Sequence, residues 1–323
     1  GGGGRAFSKD AEEKRIAVQM DPIDTMVVQR DTSLALMLEA QARGHEVWWF
    51  TPNDVFFDTG VVKARTRRVT VWLDDDKHYA TDEDRVRALD DFDVILIRQD
   101  PPFDMGYVSN TYLLELTKAL VLNPPLGVRN ISEKMSIMRF PELTPKTWVG
   151  RDLDALEDFA SRFDQVVLKV LYLMGGDGVI KLRADGVDFR ARAAKFIDAA
   201  GREPILAQEF LPAVSGGDKR LFVLDGEPFG AVKRMPQEGE FRANLHAGGR
   251  AHPAEIDDCD RRIAAAVAPL LKREGILFAG LDVIAGKLIE INVTSPTLVQ
   301  ELKRFGGADL PKAFWDRVET MRV

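Results

Sequence analysis

A mixed α/β fold, α+β in its later part, is predicted by three features of this 323-residue chain. Arg15 to Met20 and Val47 to Phe50 read as strands separated by a helical pattern, and a strand-helix-strand unit of this size implies a parallel pair. Asp93 to Ile97 is a near-continuous apolar run, as a buried parallel strand requires. The second half instead carries pairs of short alternating runs joined by Asp225-Gly226 and by Ala285-Gly286-Lys287, which are hairpin signals.

In chain order, Gly1 to Gly4 read as a linker and residues 1–14 as an unstructured tail. The first strand ends at Asp21-Pro22, which places Asp21 at a strand's carboxyl end, where α/β folds bind ligands. Asp31 caps a helix marked by Leu34, Met37 and Leu38 and stopped at Gly44. Val61 to Trp72 reads as one or two solvent-facing strands; its Lys63, Arg65, Arg67 and Arg68 suit a solvated face better than a phosphate patch. The apolar run after Asp93 delivers Arg98 to Pro102 to its carboxyl end. A helix over about 108–119 and a strand at Leu120 to Leu122 lead to Asn123-Pro124-Pro125, a first boundary. Ser132 is expected to cap a short helix with Lys134 in its first turn, where the helix dipole repels a cation.

Thr147 to Gly150, a helix over about 152–163 and the strand Gln165 to Val170 make a small α+β unit. Tyr172 to Gly178 is the loop richest in glycine, and it leads to a strand at Val179 to Leu182 and a helix over 187–199. Ile205 to Phe210 is a strand reaching a second boundary at Leu211-Pro212. Lys219 to Leu224 and Pro228 to Arg234 pair around Asp225-Gly226. Met235 to Pro253 is long, polar and without periodicity, as lids and binding loops are. A helix over 257–273, the Gly280 to Asn292 hairpin and a last helix over 310–320 complete the chain.

Composition narrows the function. With 45% hydrophobic and 29% charged residues the chain is an ordinary soluble protein, with no apolar run of membrane-span length and no signal-peptide pattern. A net charge of −7 argues against nonspecific nucleic-acid binding. The single cysteine, Cys259, forms no internal disulfide, which fits a reducing cytoplasm.

Chemistry concentrates in the last hairpin. If its three-residue loop sets the register, Asp282 faces Glu290, and Asn292 shares the face of Glu290. Such a pair is a solvated acidic edge or a site for a cation, and all-oxygen ligation suits Mg²⁺. The other parts point to an ATP-dependent ligase. Gly175 and Gly176 let backbone N–H groups approach phosphates, and Lys134 and Lys169 flank them. Gln208, Glu209, Phe210 and Leu211 stand at a hinge suited to adenine. Arg220, Arg234 and Arg242 supply charge for a transferring phosphoryl group.

The strings MDPI near Asp21, DVILIRQDPPFD, LTPKT, Met174-Gly175-Gly176, QEFLPA, GGDKRLFV, RMPQEGEFRANLHAGGR, GLDVI and EINVTSPT occur in this order. With them, the chain resembles the bacterial glutathione synthetases, members of the ATP-grasp ligases, from Arg15 to about Arg317. The resemblance implies an ATP-grasp fold preceded by an N-terminal parallel-sheet domain. It divides the chain into that substrate domain over 15–128, a small lid subdomain over 129–208, and a C-terminal subdomain over 209–323 with a mobile loop at 235–253. It implies nucleotide contacts at Lys134, Lys169, Met174, Gly175, Gly176, Gln208, Glu209, Phe210, Leu211, Asp218 and Arg220, and Mg²⁺, or Mn²⁺ in its place, on Asp282, Glu290 and Asn292. It makes Arg220, Arg234 and Arg242 catalytic, and Asp21, Arg98, Asp100, Asn244, Gly248, Ser295, Pro296 and Thr297 substrate contacts. The implied reaction joins γ-glutamylcysteine to glycine through an acyl phosphate, in a cytoplasmic homo-oligomer, a tetramer by family habit.

One stretch departs from the family pattern K-P-L-x-G-x-G-G. Val170 stands at the proline, Leu173 at the first glycine, and Asp177 adds a negative charge beside the phosphate path. If the backbone at Leu173 needs positive φ, a branched residue there costs about 1–3 kcal/mol. The expectation is a remodelled loop with weaker or slower ATP use. Two other readings stay open: an ATP-grasp ligase for another carboxylate and amine, and a nucleotide-binding protein with impaired catalysis.

Overall fold

The structure, a computed structural model, describes residues 12–174, 177–242 and 250–321. Its first sheet contains β1 (Arg15–Gln19), β2 (Glu46–Phe50), β3 (Val55–Asp58), β4 (Val61–Val71), β5 (Tyr79–Ala88), β6 (Val94–Ile97) and β7 (Leu120–Leu122). The order is β3-β4-β2-β1-β6-β7, with β5 on β4. Strands β2, β1, β6 and β7 run parallel, as the apolar runs require. Helix α1 (Thr32–Ala42) starts at Asp31, whose side chain accepts from the Leu34 N–H at 2.7 Å. Helix α2 (Met105–Leu114) is capped the same way by Asp104, so it starts and ends earlier than expected.

Two expectations for this half are corrected. The run from Val61 is one strand, and only one of its faces is solvated: Val62, Ala64, Thr66, Val69 and Val71 are buried. The proline pair opens helix α3 (Pro125–Asn130), since proline suits a first helical turn; after Ser132 comes a turn and then a short 3₁₀ helix at Ser136–Arg139.

The second sheet, ordered β10-β9-β11-β8, comprises β8 (Thr147–Gly150), β9 (Gln165–Val170), β10 (Val179–Arg183) and β11 (Ile205–Glu209). Helices α4 (Leu153–Ala160) and α5 (Phe189–Ala199) cover one face and share a core with it, including Leu156, Phe159, Leu168, Phe189 and Ile205.

The third sheet, ordered β14-β13-β12-β15-β16, comprises β12 (Asp218–Leu224), β13 (Glu227–Met235), β14 (Arg250–Ala254), β15 (Phe278–Ile284) and β16 (Lys287–Asn292). Strand β14 overlaps the end of the stretch expected to be a loop; its cross-strand pairing with β13, not an apolar pattern of its own, makes it a strand. Helix α6 (Asp258–Arg273) opens with a capping box between Asp257 and Asp260. It buries Ile263, Ala264, Val267, Leu270 and Leu271 against this sheet, the i, i+1, i+4, i+7, i+8 spacing of one helical face. Each large aliphatic group so buried contributes about 1.5–3 kcal/mol, so Val267→Asp removes one such contribution and buries a charge besides. Helices α7 (Val299–Arg304) and α8 (Leu310–Val318) follow. Phe222 and Phe278 of the third sheet and Phe314 and Trp315 of α8 share one core with α1 and the first sheet.

Asn123 joins the first and third sheets. Its Nδ2 donates to the carbonyls of Phe278 and Val293 at 2.9 and 2.8 Å, and its Oδ1 accepts from the N–H groups of Leu277 and Phe278. Among the described residues no helix is long and apolar enough to cross a membrane.

Candidate active site

The three sheets face one cavity of ≈ 460 Å³. Residues just beyond β1 and β6 bring Asp21, Arg98 and Asp100 to it, β9 and β11 bring Lys169 and Gln208, and the third sheet brings Arg220, Arg234, Asp282, Glu290 and Asn292.

The β15–β16 register sets Asp282 directly opposite Glu290. The turn has two residues rather than the expected three: Ala285 and Gly286 both take positive φ, at 50° and 75°, as a tight hairpin turn demands. A bulge between Asp282 and Val283 restores the pairing.

The two carboxyls behave differently. Burial, joined by the charges of Glu133 and Asp282, pushes Glu290 up to about 8, against the opposing pull of Lys134 and Lys169. Burial also favours the proton on Asp282, but Arg220 and Arg234 outweigh it and hold this group well below the usual carboxylate range. A hydrogen bond links the two. This is a carboxyl–carboxylate pair, with the proton on Glu290 and the charge on Asp282. Asn292 adds a neutral oxygen, since its Nδ2 donates to the Gly280 carbonyl at 3.0 Å and so leaves Oδ1 as the other end. The donors fit a hard divalent ion such as Mg²⁺. Among the described residues no group of three or more His, Cys, Asp or Glu could hold a metal; the donors gathered here are two carboxyls and one amide oxygen.

Arg220 Nε donates to Asp282 Oδ1 at 2.8 Å. Gly280 makes room for it, because a Cβ there would lie 2.8 Å from Arg220 Cδ. Arg234 grips both oxygens of Asp218 at 2.8 Å each and lies 3.1 Å from Asp282 Oδ2. These buried guanidiniums are held in place by carboxylates while their outer edges line the cavity. Arg242 also lines it and is bound to Glu240.

Of the two expected phosphate lysines, only Lys169 lines the cavity. Burial, with Lys134 nearby, lowers its pKa, and Glu290 opposes this. Lys134 is buried instead: its Nζ donates to the Leu173 carbonyl at 2.7 Å and to Glu133 at 3.3 Å, and lies 3.9 Å from Glu290. Gly175 and Gly176 lie outside the described residues, as do Asn244 and Gly248.

The departures in the phosphate loop take a form the sequence did not suggest. Leu173 is not among the residues with positive φ, so the strain expected there is absent; its side chain is exposed and its carbonyl holds Lys134. Val170 packs on Gly178, whose φ is +66° and where a Cβ would meet Val170 Cγ2 at 2.2 Å. The loop also docks on the segment after β6, with the Phe103 N–H donating to the Tyr172 carbonyl at 3.0 Å.

Gln208, Glu209, Phe210 and Leu211 line the far end with Val167, Val179 and Ile289. The Glu209 carboxylate accepts from the Lys146 N–H at 3.1 Å, and Lys181 Nζ sits 4.6 Å from the Phe210 ring centre. At the opposite end Arg98 is buried and does not pair with Asp100. It donates to Ser33 Oγ at 3.0 Å and to the Pro296 carbonyl at 2.8 Å. Asp21 accepts from the Asp100 N–H at 3.0 Å, and Ser295 donates to Asp100 at 3.2 Å. Thr297 lines the cavity as well, as does Met174 from the loop after β9. Sequence reasoning missed Arg30, Asp31, Thr32, Ser33 and Phe241 as lining residues. The helix start at Asp31 was the available signal for the first four, because a helix N-terminus after a parallel strand faces the sheet's ligand edge.

Three sheets thus enclose paired acids, buried guanidiniums and a lysine in one cleft, an arrangement suited to binding a polyphosphate with a divalent cation. The family model described as "Prokaryotic glutathione synthetase, N-terminal domain" matches residues 15–129, and "Prokaryotic glutathione synthetase, ATP-grasp domain" matches 133–307. Glutathione synthetase of Brucella melitensis is 44% identical over 310 residues, covering 95% of this chain and 99% of that protein. The enzyme of Mesorhizobium japonicum is 42% identical over 313 residues, covering 95% and 99%. Among solved structures, D-cycloserine synthetase DcsG shares the fold, with a TM-score of 0.67 at 14% identity, covering 94% of this chain and 98% of that one. The chain belongs to the prokaryotic glutathione synthetase family, ATP-dependent carboxylate–amine ligases of glutathione biosynthesis.

Proposed function

We propose that this protein joins the cysteinyl carboxylate of γ-glutamylcysteine to the amine of glycine, with ATP and Mg²⁺, or Mn²⁺ in its place. The observation that carries the reading is the Asp282–Glu290 pair beside Arg220 and Arg234 in the same cavity as Lys169. In this reading Asp282, Glu290 and Asn292 hold the metal, which when bound offsets charge on the phosphates. Gln208 to Leu211 receive adenine, Lys169 and Asp218 flank the nucleotide, and Lys134 acts from below by fixing the loop at Leu173. Arg220 and Arg234 stand where charge develops as the carboxylate takes the γ-phosphoryl group, and Arg242 enters from the closing loop. Their carboxylate partners keep these cations aimed without reorganisation, which is where electrostatic stabilisation gains its effect. Asp21, Arg98, Asp100 and Ser295 to Thr297, which line the cavity, take the dipeptide and glycine; Asn244 and Gly248 join them in this reading from the sequence alone. The acyl phosphate must be kept from water until the glycine amine attacks, a task this reading gives to the segment connecting β13 and β14.

The domain limits 15–128, 129–208 and 209–323, a cytoplasmic location and a homo-oligomer belong to the same reading. The test is ADP release with each substrate omitted in turn, and with D-alanine or glutamate replacing glycine. Release that requires γ-glutamylcysteine and glycine together supports it; equal release with another pair favours a different ligase.

A further inference from the structure

We infer that Thr147 is a positioning residue for nucleobase recognition. It fixes the Gln208 side-chain amide so that the site prefers a 6-amino purine to a 6-oxo purine. The inference rests on the proposed placement of the purine beside Gln208. Thr147 and Gln208 lie directly opposite each other on the antiparallel pair β8–β11. Gln208 is 3% exposed yet lines the cavity, with Val167 directly across from it on β9. Thr147 itself does not line the cavity.

The argument is one of proton counting. Thr147 Oγ1 lies 2.8 Å from the Pro145 carbonyl, which only accepts, so the single hydroxyl proton goes there. Oγ1 can then only accept from Gln208, at 3.0 Å, and the one donor on that side chain is Nε2. Oε1 is thereby turned away from Thr147, and among the described residues it has no protein donor. The relay Gln208 → Thr147 → Pro145 carbonyl thus presents an acceptor to the ligand. An adenine amino group donates to that oxygen. A 6-oxo purine brings an acceptor against it, and flipping the amide to suit would leave two acceptors facing each other at Thr147. A fixed amide discriminates; a free one adapts by flipping. Losing the relay removes about one hydrogen bond's preference, about tenfold in the affinity ratio.

The test is equilibrium competition binding of ATP against inosine triphosphate, which differs from ATP at the 6-position and N1 and carries no 2-amino group. Thr147→Val is near-isosteric and cannot accept. It is expected to lower the ATP/ITP affinity ratio about tenfold, whereas Thr147→Ser keeps the ratio within twofold of wild type. Gln208→Met is expected to lower the ratio as far as Thr147→Val does, and the double variant to lower it no further, because Thr147 acts only through Gln208. Circular dichroism confirms folding, and Gln208→Met with Thr147→Ser carries the test if the valine variant does not fold. A ratio unchanged in Thr147→Val, or additive effects in the double variant, overturns the relay while leaving the ligase reading intact. A wild type that binds neither nucleotide overturns that reading and the relay with it.

Discussion

Replacing Glu290 by glutamine probes the paired carboxyls directly. In the folded protein Glu290 keeps its proton to about pH 8, against an ordinary value of 4.5. Between those values the folded state binds more protons than the unfolded chain, so stability falls as pH rises. The span corresponds to up to about 5 kcal/mol lost between pH 4.5 and 8. Glutamine mimics the protonated carboxyl and does not titrate. Metal-free Glu290→Gln is therefore expected to match wild type near pH 5 and to exceed it by several kcal/mol at pH 8.5. Urea denaturation with a chelator present, at pH steps from 5 to 8.5, measures the difference. With MgCl₂ and ATP added the ranking is expected to reverse, and ligase turnover of the variant to fall at least a hundredfold. A wild-type–variant difference that stays within about 1 kcal/mol across this range would refute the reasoning, because Glu290 would then ionise normally beside Asp282.

Other perturbations test the surrounding framework. Asn123→Ala removes four hydrogen bonds between the first and third sheets and leaves buried backbone groups unpaired, so chemical denaturation should show a loss of about 2–4 kcal/mol. Gly280→Ala places a methyl 2.8 Å from Arg220 Cδ and displaces that side chain from Asp282; turnover should fall at least tenfold while the thermal midpoint moves by only a few degrees. Leu173→Gly combined with Asp177→Ala puts a glycine in the β9–β10 loop and removes a negative charge from it. Steady-state kinetics should show a lower apparent KM for ATP or a higher kcat, and no change in either removes the case for a weakened loop.

Much of the architecture was legible because burial writes itself into sequence. The run Val94 to Ile97 is apolar at every position because both its faces are covered. The spacing of α6 follows from its single buried face. The Asp282–Glu290 pairing was also readable, though through the wrong turn: a two-residue turn plus a bulge gives the same register as the three-residue loop. What stayed hidden depends on partners distant in sequence. Strand β5 carries five charged residues in YATDEDRVRA and no apolar alternation, and only its pairing with β4 makes it a strand. Nothing local shows that Lys134 comes within 2.7 Å of the carbonyl of Leu173, 39 residues away. The same holds for Arg98, whose partners Ser33 and Pro296 are 65 and 198 residues away.

Transfer of ¹⁸O from the cysteinyl carboxylate of γ-glutamylcysteine tests the central claim most directly. Incubation of the labelled dipeptide with glycine, ATP and MgCl₂, followed by mass spectrometry, reads the products. One ¹⁸O in inorganic phosphate and one retained in glutathione is the expected result, because activation places a carboxylate oxygen on the transferred phosphoryl group. Unlabelled phosphate, or ADP formed without glutathione, would contradict the account.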